Sequence, residues 1–239
     1  MDYRDLFIQQ AQMIRSWIAA LGLSHIRLKE READDVLYRL TCMAREEGLT
    51  SIIVSDDKDF FQLLRDDVHI FRPMAEQYVT PESFRTEYGF SPRRYLLFKA
   101  MCGDPSDKVK GIMGVGEKTA AEIVKHCSKR KQLPKWCTSH QGGRLNFKAA
   151  GADVAQPILR RNLELFDLRL EDFDDEEMRR IVKAYRRRIP RDMDALTLAA
   201  KEMHFDTIAG HMGLWISPLR WQDGKRKHPL KKHSDSDSA

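Results

Sequence analysis

The stretch GDPSDKVKGIMGVGEKTAA, Gly103 to Ala121, decides the reading of this chain. It opens with two aspartates three apart, Asp104 and Asp107. Carboxylates at that spacing can project to one side of a turn and hold a hard divalent cation through oxygen. A glycine-spaced loop follows, Gly111, Gly114 and Gly116, and then Lys118 and Thr119 at the start of a helix. Glycines let a backbone come close to a partner and turn its N–H groups outward. A helix N-terminus adds partial positive charge suited to phosphate. One segment therefore joins metal ligands to a phosphate grip, the pairing that cutting a phosphodiester needs. It does not read as a P-loop, because Glu117 separates Gly116 from Lys118 and no strand precedes it. It predicts a helix-hairpin-helix that grips one nucleic-acid backbone without reading bases. Taken alone, the segment also fits an ordinary glycine loop between two helices.

At 239 residues and 42% hydrophobic, the chain can bury a core as one large domain or two small ones. A net charge of +5 and a pI near 9.0 suit a polyanionic partner. Acids bunch near Asp34, Asp57 and Asp104, whereas bases crowd residues 179–191 and 225–232. That segregation fits a metal site within a DNA-binding face. The cysteines Cys42, Cys102, Cys127 and Cys137 show no CxxC spacing and read as reduced cytoplasmic thiols. His126, Cys127, Cys137 and His140 can be imagined as zinc ligands, although their spacing is irregular. No apolar run approaches membrane-spanning length.

Periodicity predicts an amphipathic helix over residues 3–21, a short strand near His25–Leu28 and a helix from about Glu32 to Gly48. Ser51-Ile52-Ile53-Val54 is almost wholly apolar, as in a strand buried on both faces. Asp57 and Asp59 stand just past it, and Phe60–Leu64 begins another helix. Val68–Phe71 predicts a strand and Tyr78-Val79 a short edge strand. Thr80-Pro81 and Ser91-Pro92 predict helix starts for about 81–88 and 92–101. This alternation argues for a parallel, doubly wound sheet, whose ligands gather at the carboxyl ends of strands. Past residue 103 the chain reads as helical, with an irregular stretch at 128–156 and helices near 156–166, 174–188 and 192–203. The tail, from Asp223, reads as disordered.

Three acidic groups then need one explanation: Glu32/Asp34/Asp35, Asp57/Asp59 and Asp104/Asp107. Each alone is a solvated helix start. Buried together without cations, they would repel. Two Mg²⁺ ions about 3.5–4 Å apart reverse that sign and activate water for attack on phosphate.

In order and spacing, EADD at 32–35, SDDKD at 55–59, GDPSDK at 103–108 and GIMGVGEKTA at 111–120 resemble the motifs of the 5′ nucleases. That superfamily includes phage 5′-exonucleases, flap endonucleases and the 5′-nuclease domain of bacterial DNA polymerase I. The resemblance covers roughly residues 5 to 215, and ILRRNLELFDL at 158–168 is similar to a helix that follows the hairpin in phage members. It implies a PIN-like (resolvase-like) α/β catalytic domain over residues 1–102. A helix-hairpin-helix region follows over 103–215, then a basic tail over 216–239. It also implies a two-metal 5′-3′ exonuclease and flap endonuclease of DNA replication or repair, in a bacterial or phage-infected cytoplasm. The implied ligands are Glu32, Asp34, Asp35 and Asp57 for one Mg²⁺ and Asp59, Asp104 and Asp107 for the second, with Mn²⁺ able to substitute. Asp56 matches no ligand. The hairpin, with Gly111, Gly114, Val115, Gly116, Lys118 and Thr119, would hold DNA phosphates, commonly with a bridging K⁺ ion. Substrates would be DNA with a free 5′ end, flap or nick, and, as in phage members, RNA primers.

Two early strands bearing aspartates and a basic helical arch that open family members find no match here. The resemblance therefore implies a split nuclease completed by a second polypeptide, or a truncated reading. The competing readings are a helix-hairpin-helix DNA-binding protein that no longer catalyses and an RNA-processing nuclease of the related PIN class.

Overall fold

The computed structural model describes residues 3–126, 152–170 and 172–216, which form two compact units. The smaller comprises residues 3–26 with 183–216, and the larger residues 27–182 within the described ranges. The boundary expected at residue 102 falls inside the larger unit, because α4 (Tyr95–Cys102) runs directly into the acidic hairpin. The tail, and most of the irregular stretch expected at 128–156, lie outside the described residues. So do three of the four residues weighed as zinc ligands, Cys127, Cys137 and His140.

The larger unit is built on a three-stranded sheet, β1 (Ser51–Val54), β2 (Val68–Arg72) and β3 (Gln77–Val79), in that order. β-Branched residues favour the pleated strand at β1. β1 and β2 run parallel, with Ser51 opposite Val68 and Val54 opposite Phe71. β3 turns back antiparallel through residues 73–76. The expected doubly wound sheet is thus one parallel pair with an antiparallel edge. β1 also differs from expectation: Ile53 is buried, but Ile52 is 50% and Val54 64% exposed. One face of the strand packs on the core and the other is open. The strand expected at His25–Leu28 does not form: these residues belong to no regular element, and Leu28 alone of the four is buried.

Helices position the acidic motifs. α2 (Ala33–Glu46) begins directly after Glu32 and carries Asp34 and Asp35 in its first turn. A 3-10 helix, Lys58–Leu63, follows β1. Thr80 and Ser83 form a capping box on α3 (Pro81–Tyr88), as the Thr-Pro signal predicts. Ser91 makes no side-chain cap, and a short 3-10 turn, Pro92–Arg94, leads into α4. Phe61, Phe84, Tyr88 and Tyr95 pack as one aromatic cluster, with Phe84 and Tyr88 stacked at 4.4 Å. α4 continues into the two-residue strands β4 (Gly103–Asp104) and β5 (Val109–Lys110), then α5 (Glu117–His126). α6 (Ala152–Phe166) begins within the stretch read as irregular and packs against α4. α7 (Asp175–Arg186) completes this part; its Glu177 receives Arg31 Nε at 2.8 Å, fixing the chain just before Glu32.

In the smaller unit, α1 (Tyr3–Ala20) meets α8 (Met193–Glu202), α9 (Asp206–Gly210) and α10 (Met212–Ile216) around Leu196, Ala200 and Met212. Trp17 meets Phe205 edge to face at 6.3 Å. Phe7 and Ile14, on the predicted apolar stripe of α1, are exposed.

Candidate metal centre

Three chain segments bring carboxylates together in the larger unit. Asp34 projects from the first turn of α2, Asp57 and Asp59 from the end of β1, and Asp104 from β4. The Asp34 carboxyl is pushed up to about 6. Burial is the main cause, followed by the charges of Asp57, Asp59, Glu32 and Asp35. Burial likewise raises Asp59, opposed by its bond to Lys99 and reinforced by Asp57 and Asp104. Asp35 is buried and Glu32 exposed.

Asp57 has a local duty as well. Its Oδ1 accepts the Asp59 N–H at 2.8 Å and caps the 3-10 helix. Asp56 turns away from the cluster and accepts the Met74 N–H at 2.9 Å, a role in holding the β2–β3 turn. Asp104 is oppositely tuned, down to about 2. The Ser106 hydroxyl is the largest cause; burial opposes it, and Lys99 adds to it. Asp107 is exposed, with its N–H 3.4 Å from Asp104 Oδ1. It is not among the charges that shift Asp34 or Asp59.

The donor set fits a hard divalent cation, because every candidate side chain is a carboxylate. The raised Asp34 marks negative charge that burial has left short of a counter-ion. Among the described residues, however, no three His, Cys, Asp or Glu side chains already stand close enough to hold a metal ion. Asp59 and Asp104 share Lys99, whose ammonium contacts Asp59 and lies 2.9 Å from Asp104 Oδ2. Burial alone would lower the Lys99 pKa; its bonds to the two carboxylates raise it overall. Lys99 was not singled out from the sequence. The available signal was a lone lysine in the otherwise apolar YLLFKAMC, since a charge buried there requires a partner.

The hairpin stands next to this cluster in sequence and is locked to it by close packing. Gly103 adopts φ +75°, and a Cβ there would lie 2.3 Å from Gly111 N. A Cβ on Gly111 would lie 2.2 Å from the Cys102 carbonyl. Gly114, at φ +81°, faces open space, as does Gly116. Gly114, Gly116 and Lys118 are exposed, and Thr119 is half-buried. Val115 differs: its side chain is buried and its N–H bonds Ile112 O at 3.0 Å, so it anchors the loop from inside. Arg94 donates to the carbonyls of Val124 and Lys125, closing the C-terminus of α5.

Residues 2–89 match the family described as 5′-3′ exonuclease, N-terminal resolvase-like domain. The thermostable DNA polymerase I of Thermus filiformis is 31% identical over 211 residues, covering 87% of this chain and 24% of that protein. DNA polymerase I of Mycobacterium tuberculosis is 33% identical over 213 residues, covering 82% and 23%. By sequence, the chain is similar to 5′-3′ exonuclease N-terminal domains and to bacterial DNA polymerases I. It spans about a quarter of the length of the curated relatives it matches. Among solved structures, the T5 D15 protein co-crystallised with metal ions aligns with a TM-score of 0.51 at 19% identity, over 77% of this chain and 62% of that one. The catalytic core of Rad2 in complex with DNA substrate aligns at 0.50 and 16%, over 93% and 72%. These likenesses show a resolvase-like, PIN-like α/β fold.

Proposed function

We propose that this chain carries the catalytic carboxylates of a 5′-3′ exonuclease and 5′-flap endonuclease that hydrolyses DNA phosphodiester bonds. The observation that carries the reading is the convergence of carboxylates from three separate segments: burial, then the charges of Asp57 and Asp59, raise Asp34, and Asp57 and Asp104 act in turn on Asp59. Glu32, Asp34, Asp35 and Asp57 would hold one Mg²⁺ and Asp59, Asp104 and Asp107 a second, with Mn²⁺ a substitute. Bound there, the ions supply Lewis-acid chemistry for phosphodiester hydrolysis. The protein's own part is to orient. Ser106 keeps Asp104 ionised, and Asp57 fixes the turn that presents Asp59. Gly114, Gly116, Lys118 and Thr119 offer backbone N–H groups, charge and a hydroxyl to a strand's phosphates, with K⁺ as a further ligand of the hairpin. The substrates in this reading are DNA with a free 5′ end, flap or nick, and RNA primers, in the cytoplasm of a bacterial or phage-infected cell.

A second polypeptide completes the sheet in this reading. Support comes from β1, an edge strand whose Ile52 and Val54 are exposed beside the acidic turn. An apolar open edge of this kind favours pairing with another strand.

The test is cleavage of a 5′-labelled flap duplex by the full chain in Mg²⁺ or Mn²⁺, beside Asp104→Ala. Metal-dependent cleavage lost in the variant supports the reading. A second reading is a DNA-binding protein without catalysis, favoured by the lack of a preformed three-carboxylate cage among the described residues. Equal DNA retention in EDTA and Mg²⁺, with no cleavage under either condition, would select it.

A further inference from the structure

Lys99 occupies an unusual place for a lysine. It is 7% exposed, on the helix that leads into Asp104. Its ammonium contacts Asp59, reaches Asp104 Oδ2 at 2.9 Å and stands 4.6 Å from the centre of the Phe166 ring. The two carboxylates come from different motifs, one past β1 and one on β4. Without a cation between them they would repel each other in a partly desolvated site.

We propose that Lys99 is a tethered counter-ion that occupies the place between Asp59 and Asp104 and competes with a divalent cation for their oxygens. This inference rests on the metal reading above. An ammonium and a divalent ion cannot share the same carboxylate lone pairs at contact distance without strong repulsion. The lysine head sits on a flexible four-carbon stem, so it can withdraw while its stem stays packed. The Phe166 ring faces the ammonium at 4.6 Å in the position it holds between the carboxylates. The device keeps the metal-free protein folded with its carboxylates in register, and it weakens metal binding by the energy of displacing Lys99. A plain structural ion pair behaves in the opposite way: its removal disorders Asp59 and Asp104 and weakens metal binding.

The experiment titrates Mn²⁺ into the full chain, followed by calorimetry and by the electron paramagnetic resonance of free Mn²⁺. Wild type is set beside Lys99→Met, Lys99→Gln and Lys99→Arg, with thermal unfolding in EDTA alongside. Lys99→Met keeps the stem and removes the charge, and is expected to bind Mn²⁺ about tenfold more tightly while melting lower in EDTA. Lys99→Arg retains the charge and stays near wild-type affinity. Should Lys99→Met not fold without metal, Lys99→Gln carries the same expectation, with a neutral polar amide in place of the ammonium. Unchanged or weaker Mn²⁺ binding by the folded, uncharged variants overturns the competition while leaving the metal reading intact. Absence of Mn²⁺ binding in wild type and every variant overturns both.

Discussion

The buried side-chain amide of Asn162 donates to the backbone carbonyl of Lys110 at 3.0 Å. Its second N–H reaches Ala100 O at 2.9 Å, and Arg161 Nη2 also bonds Lys110 O at 3.0 Å. One asparagine on α6 therefore holds both the helix that precedes the acidic hairpin and the strand that leaves it. Replacing Asn162 by Leu takes the side-chain donor from Ala100 O while Lys110 O keeps Arg161, so the chain should lose about 1–3 kcal/mol in urea unfolding. An unchanged midpoint would mean that the hairpin holds itself.

Gly103 and Gly114 both have positive φ, yet their surroundings separate them. Gly103→Ala drives a methyl group into the backbone of Gly111 and Val109. It should unfold the hairpin or cost more than about 3 kcal/mol. Gly114→Ala meets nothing within 4 Å and pays only for its backbone angle, about 1 kcal/mol. Thermal unfolding of the two variants side by side distinguishes them; equal losses would contradict the packing argument.

Asp34 makes the metal-free protein sensitive to pH in a defined direction. Its folded pKa of about 6 lies above the ordinary 3.8, so the folded state holds the proton more tightly than the unfolded chain. Its contribution to stability is complete below about 4 and is lost as pH rises through about 6. Asp34→Asn removes this slope. In EDTA, the variant should therefore gain melting temperature relative to wild type between pH 4.5 and pH 7.5. A constant difference across that range would refute the shift.

The two faces of β1 predict unequal tolerance. Val54→Lys places a charge on a side chain that is 64% exposed and should change stability by no more than about 0.5 kcal/mol. Ile53→Ala removes buried methyl groups and should cost about 2–4 kcal/mol. Denaturant unfolding reads both. Comparable losses would show that the outer face is covered in solution.

The acidic motifs were legible because each sits at an element boundary that the sequence marks independently. Asp34 follows the residue that opens α2, Asp57 ends an apolar strand, and Gly103 forces the turn before Asp104. The helix starts at Thr80 and Glu117 were legible for similar local reasons. Other features depend on distant partners. Ile52 and Val54 look like core residues until the sheet order leaves β1 at its edge. His25–Leu28 has strand-like residues but only one buried side chain. Val115 sits among backbone-exposing glycines, yet it is buried because Ile112 turns it inward. Asn162 was part of a recognisable helix, but its two carbonyl partners lie far back in the chain.

The fit of Gly103 against Gly111, and of Gly111 against Cys102, has a consequence for building chimaeras from relatives. The acidic turn and the glycine loop share their backbone contacts, so they cannot be exchanged one at a time. A graft that takes Asp104 from one parent and the loop at 111–116 from another would inherit two halves of a single joint. Workable grafts keep residues 94–126 together and carry Asn162 with them, so that the joint, its leading helix, its trailing helix and the asparagine that ties them travel as one set.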